Sequence, residues 1–172
     1  MRVRKAVRLI LLNENNEILL SKYEGVNIYK PGQKPLDAFW ETVGGGMDEG
    51  ETHEQTAMRE CYEEAGLTQD DIEIGQMVWQ GHSEIVYKNE HIKSHHTFMI
   101  ARTKRKIDAK SIVSTGLTED EAGYLKGFKW WSMEELQETQ EHIIPPILKS
   151  ELPKILNGNL PNPPLTLDLD IE

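Results

Sequence analysis

Three glutamates, Glu60, Glu63 and Glu64, stand at positions i, i+3 and i+4 of one segment. If that segment is helical, the spacing puts all three carboxylates on one face with Thr56 beside them. Ala57, Cys61 and Ala65 then form an apolar stripe roughly opposite. Such crowding is unfavourable by itself, because two carboxylates about 5 Å apart repel by roughly 3 kcal/mol at an effective dielectric of about 20. A cation must offset the repulsion, or the pKa values must rise. Carboxylate oxygens without a thiolate cage or a paired-histidine motif select Mg²⁺, Mn²⁺ or Ca²⁺, and a site with open positions suits Mg²⁺ shared with substrate phosphates. The alternative is a solvated helix face on which Arg59 pairs with Glu63 at i, i+4, and the cluster alone does not decide between the two.

The residues around the cluster do decide. Gly45, Glu51, Arg59, Glu60, Glu63, Glu64 and Gly66, followed by Leu67, reproduce the spacing G-x5-E-x7-R-E-U-x-E-E-x-G-U, where U is apolar. This pattern resembles the Nudix box of the Nudix hydrolase family. The stretch FWETVGGG before it resembles the family's strand into the glycine turn, and WWSMEEL further on resembles its later strand-to-helix signature. The resemblance implies an α/β (α+β) fold, a mixed β-sheet sandwiched between helices (α/β/α). It also implies a hydrolase that uses Mg²⁺, with Mn²⁺ as a substitute, to cleave a phosphoanhydride bond in a nucleoside diphosphate linked to another moiety. The implied metal ligands are Glu60, Glu63, Glu64 and the carbonyl of Gly44, while Arg59 and Glu51 hold the Gly45 turn against the helix. Two departures are visible: Val43 stands where relatives often have proline, and Cys61 occupies an aliphatic position. Neither removes a ligand.

In that chemistry a metal-bound water attacks phosphorus and a carboxylate takes its proton. Glu64 or Glu63 is the first candidate base; the loop LTEDEAG at residues 117–123 offers Glu121, then Glu119. Tyr23, Tyr29, Trp40 and Trp79 are candidates for stacking on a base, whereas Phe39 and Trp130 suit core packing. His82, His91, His95 and His96 do not suggest a metal site, because His95 and His96 are adjacent on an expected strand and point to opposite faces. Cys61 reads as a small core residue.

The elements that must position these groups follow from periodicity. The apolar runs within residues 3–12 and 18–20, separated by polar residues 13–17, predict two strands. Residues 25–36 hold Pro31, Gly32 and Pro35 and predict a loop, followed by a short strand at 39–43. A helix is expected from about Thr52 to Ala65, capped by Thr52 with Gln55 and stopped by Gly66. Residues 72–85 and 93–102 predict strands, and residues 127–131 another. Ser132 with Glu135 caps a second helix, and residues 147–156 suggest a third, interrupted by Pro153. We divide the chain into a Nudix domain at 1–156 and a tail at 157–172, whose alternating Leu165, Leu167, Leu169 and Ile171 suggest an edge strand or an arm for a homodimer.

Composition narrows the function classes. With Lys+Arg at 19 against Asp+Glu at 29, the net charge of −10 argues against binding a nucleic-acid polymer and calls for cations between protein and phosphates. A single cysteine fits a reducing cytoplasm, and neither a signal peptide nor a membrane span is legible. The expected partner is a small nucleotide. A nucleoside triphosphate is the first choice, with ADP-ribose or a nucleotide sugar next. The rival classes are a catalytically inactive nucleotide sensor on the same fold and an isoprenoid diphosphate isomerase. The complete carboxylate set speaks against the sensor. The isomerase would want a protonating group that Cys61, inside the box helix, is badly placed to supply.

Overall fold

Alternation in the first twenty residues becomes two strands, β1 (Arg2–Leu12) and β2 (Ile18–Tyr29), in a computed structural model that describes residues 1–170. The remaining strands and α-helices are β3 (Leu36–Thr42), β4 (Gly44–Gly46), α1 (His53–Ala65), β5 (Ile72–Tyr87), β6 (Glu90–Thr103), α2 (Glu119–Tyr124), β7 (Leu125–Trp131), α3 (Met133–Glu138), β8 (Ile143–Ile144), α4 (Leu148–Leu156) and β9 (Leu165–Asp168). The strands order as β4-β1-β6-β5-β2-β3-β8, with β7 on β2 and β9 on β5. β1 runs parallel to β6 and antiparallel to β4, so the sheet is mixed.

Strand alternation feeds two cores. Val7, Leu9 and Leu11 of β1 pack with Ala57, Cys61 and Ala65, the apolar stripe of α1. Ile10 and Leu12 join Trp79, Phe98, Leu136, Leu148 and Leu152, under α3 and α4. The expected sandwich of helices about a mixed sheet is therefore what forms. β1 also touches β2, but through one pair only, Leu12 with Ile18. β5 meets β2 at the far end, at Ile28–Tyr87 and Tyr29–Val86. Between these two meeting points the strands part, and the space they enclose becomes the cavity described below.

Three expectations need correction. Residues 25–29 do not belong to a loop: β2 runs through to Tyr29, because an irregularity between Glu24 and Ile28 absorbs the positive φ of Gly25 (76°) and Asn27 (58°). Residues 119–124 form the short helix α2, with Thr118 and Glu121 making a capping box that the acidic composition concealed. Pro153 does not break α4; burial of Leu148, Leu152 and Ile155 holds the turn around it. The end of the chain pairs with its own sheet, β9 lying parallel to β5 from Trp79–Leu165 to His82–Asp168. Ile171, part of the expected alternation, lies outside the described residues. Among those residues, no helix is long and apolar enough to cross a membrane.

Candidate active site

Helix α1 is fixed at both ends. Gln55 N donates to Thr52 Oγ1 at 3.1 Å, and Thr52 N donates to Gln55 Oε1 at 2.9 Å. At the C-terminus Gly66 adopts φ 68°, and its N–H donates to the Tyr62 carbonyl. A Cβ at Gly66 would stand 2.3 Å from the Val113 carbonyl oxygen, so conformation and space both require glycine. Thr115 N and Gly116 N donate to the Glu63 carbonyl at 2.9 and 3.0 Å, satisfying the helix end and fixing segment 113–116 against it.

Arg59 joins the glycine turn to this helix. Its Nη2 donates to the Gly46 carbonyl and to Glu51 Oε1, both at 2.8 Å, and its Nε donates to Glu51 Oε2 at 2.9 Å. The Arg59 bonds hold the Glu51 carboxyl below its usual range. Arg59 Nη1 reaches Glu60 Oε1 at 2.8 Å and Glu63 Oε2 at 3.2 Å, so the surface-pair alternative and the turn-holding role describe the same side chain. Gly45 has no room for a side chain: a Cβ would fall 2.4 Å from Glu60 Oε2. Burial raises the Glu60 pKa, against the opposing pull of Arg59.

Glu64 points elsewhere. It is 3% exposed, with Oε1 accepting from Ser21 Oγ at 2.5 Å and Tyr23 OH at 3.0 Å, and Oε2 accepting from Gly44 N at 3.2 Å. Burial pushes its carboxyl up to about 7, a rise that the Ser21 bond and the Arg8 charge limit. Arg8, on β1, pairs with Glu41 at 2.8 Å and donates to the carbonyls of Thr42 at 3.1 Å and Gly44 at 3.2 Å. The Gly44 carbonyl thus faces a guanidinium in this arrangement.

These groups line one end of a cavity of about 540 Å³. Glu60, Glu63, Arg8 and the three glycines line one part of it, with Phe98 across from Arg8 in the sheet; Val26, Ile28, Ile85, Tyr87 and Ile92 form an apolar chamber where β2 meets β5, and Arg4 lies between along β1. His96 borders the chamber with Nε2 2.9 Å from Ser83 Oγ. Burial, with Arg8 and Arg4 nearby, lowers its pKa to about 3, so the ring is neutral at ordinary pH.

The sequence-predicted residues separate accordingly. Glu60, Glu63, Gly44, Gly45, Arg59, Tyr23 and Glu121 all border the cavity. Tyr23 stacks on Phe39, with ring centroids 5.6 Å apart, and bonds Glu64, so its ring serves the carboxylate as well as the cavity. Glu121 Oε1 accepts from Thr118 N at 3.2 Å in its cap. Trp40 and Trp79 are corrections: both are core residues, Trp40 edge-on to Trp131 and Trp79 tilted against Phe98, and neither borders the cavity. Tyr29 lies beyond the cavity wall, on the short β2–β5 ladder. Sequence reasoning missed Arg4, Arg8, Ser21 and His96. Alternate spacing of Arg4 and Arg8 within an apolar strand was the available signal, since charge on a strand face that should be buried needs a reason.

The donor set fits a hard divalent cation. Glu60 packs against Gly45 where any side chain would collide with it, and Glu63 borders the same cavity, so hard oxygen donors line this part of it. Among the described residues, no three of the acidic, histidine and cysteine side chains already stand close enough to surround one ion. Arg59 Nη1, between Glu60 and Glu63, balances their charge instead.

Comparison with known proteins agrees with this geometry. The family model described as NUDIX domain matches residues 2–150, and the chain belongs to that family. Over 71 residues it is 37% identical to an RNA pyrophosphohydrolase of Tolumonas auensis, a match covering 41% of this chain and 34% of that protein. The chain thus spans about a third of the length of the curated relatives it matches. Among solved structures, a NUDIX hydrolase from Nitrosomonas europaea superposes with a TM-score of 0.63 at 18% identity, covering 97% of this chain and 80% of that one. An ADP-ribose pyrophosphatase from Streptococcus suis gives 0.56 at 15% identity, covering 96% and 98%. These structural likenesses establish the fold.

Proposed function

We infer that this chain is a divalent-metal-dependent pyrophosphohydrolase of small nucleotides, cleaving a phosphoanhydride bond in a nucleoside diphosphate linked to another moiety. The observation that carries the inference is the two-ended cavity, with Glu60, Glu63 and the glycine turn at one end and an apolar chamber at the other. Phosphates suit the first and an organic group the second. A Mg²⁺ ion, with Mn²⁺ as substitute, would be held by Glu60, Glu63, the Gly44 carbonyl and Glu64, whose Oε2 has only the Gly44 N–H as partner. When bound, that ion would neutralise phosphate charge and lower the pKa of a water. Arg59 would then keep the turn in register through Glu51 and the Gly46 carbonyl. Glu63, on the cavity wall and 37% exposed, is the better placed proton acceptor; Glu121 stands on the same cavity from α2, and Glu64 is enclosed.

A cavity of about 540 Å³ suits one mononucleotide, and the −10 charge disfavours a polymer. A nucleoside triphosphate is therefore the first substrate, with ADP-ribose or a nucleotide sugar next, acting in a reducing cytoplasm. The relatives named for RNA share only part of their length with this chain. The test is a panel of these compounds, with an RNA 5′-triphosphate, assayed with and without Mg²⁺ for wild type and Glu63→Gln. Metal-dependent release of phosphate or pyrophosphate, lost in the variant, is expected. Tight binding of one compound without any turnover would instead support a sensor module.

A further inference from the structure

Arg4 and Arg8 share one face of β1, yet their circumstances differ. Arg8 has protein acceptors for its guanidinium: Glu41, the Thr42 carbonyl and the Gly44 carbonyl. Arg2, at the exposed start of the strand, pairs with Glu90. Arg4 is half-buried, borders the cavity, and makes no hydrogen bond or ion pair among the described residues. Its Nε is sealed from solvent with no acceptor. Burial, and then the charge of Arg8, lower its pKa, against the weaker pull of Glu41 and Glu60. A buried donor without an acceptor destabilises the fold, so a retained one points to a partner that arrives from outside.

Its place in the sheet says what that partner is. β1 lies between β4, which carries the glycine turn, and β6, where Arg4 pairs with Ser94, two residues from Ile92 of the apolar chamber. The end of the Arg4 guanidinium lies about 4.0 Å from where a side chain on Gly46 would begin. Arg4 therefore stands between the carboxylate platform and the chamber. A nucleotide spanning both ends must carry its diphosphate past this point, and the planar fork of an arginine matches non-bridging phosphate oxygens. We propose that Arg4 grips the substrate's diphosphate from the sheet side, at the phosphate bearing the organic group. This rests on the nucleotide reading above and adds to it the residue that recognises the anion without a metal.

The experiment is calorimetric titration, in EDTA, of nucleoside 5′-diphosphates and the corresponding nucleosides into wild type, Arg4→Ala and Arg4→Lys, with thermal melting of each protein. Loss of a charge-assisted bond should weaken diphosphate binding by about tenfold or more in Arg4→Ala. Nucleoside binding should be unchanged, Arg4→Lys should fall between, and the melting temperature should stay level or rise, since no protein bond is removed. Unchanged diphosphate affinity would overturn the proposal, as would an equal loss for nucleosides, a melting temperature that falls in step with affinity, or no diphosphate binding by wild type. Failure of the hydrolase reading is seen separately, as a wild type that binds diphosphates through Arg4 and turns over no compound in the panel.

Discussion

At the scale of single residues, Glu64 couples the site to acidity. Its carboxyl rises from the ordinary 4.5 to about 7 because it is enclosed. Between those values an unfolded chain loses its proton before the folded one does, so the metal-free protein loses stability as pH climbs through that window. Each unit of separation corresponds to about 1.4 kcal/mol. We expect the melting temperature in EDTA to be higher near pH 5 than near pH 7.5, and Glu64→Gln to flatten the slope; an unchanged slope in the variant would place the titration elsewhere. Mg²⁺, preferring the ionised form, should restore stability at the higher pH. Ser21→Ala removes a bond to this buried oxygen and should cost about 1–3 kcal/mol in urea unfolding. For Glu63→Gln, loss of the proposed proton acceptor should lower kcat by about 100-fold or more without lowering the melting temperature, since its bond to Arg59 is half exposed.

Among the elements, the box legible in the sequence behaves as one unit, and its hinge is the gap at Gly45. Gly45→Ala would drive a Cβ into Glu60. The variant should retain α1, checked by circular dichroism, while losing Mg²⁺ affinity in calorimetry; full affinity would show that the turn can shift. The cap at Thr52 is a milder test: Thr52→Ala should cost about 1 kcal/mol and leave chemistry intact. Much of this level was readable beforehand because caps, glycine stops and carboxylate spacing are local signals. What was not readable is equally instructive. Trp40 and Phe39 are neighbours, and alternation alone cannot say which one faces the core until the partner strand fixes the register. Gly25 and Asn27 looked like loop residues because their positive φ values are absorbed by a strand irregularity that only β3 and β5 reveal. Arg4 and Arg8 were hidden for the same reason, since strand pairing decides which charges share an enclosed space.

For the whole molecule, the cavity exists because β1 and β2 meet at one end, β5 and β2 at the other, and part between. The C-terminal residues complete the enclosure. Leu169 is 3% exposed and borders the cavity, while Asp170 accepts from Glu84 N at 3.1 Å and pairs with Lys30 at 3.1 Å. This seat depends on Gly81, where a Cβ would stand 2.2 Å from the Leu167 carbonyl oxygen. Gly81→Val should therefore release β9, seen as faster amide exchange at residues 165–168, and should broaden substrate choice; unchanged exchange would mean that β5 yields instead. Asp170 thus lies next to Leu169, on the wall of the chamber proposed above for the substrate. A fluorophore attached there would sense occupancy of that chamber directly, and a bulky tag in the same place would alter the enzyme it was meant only to purify.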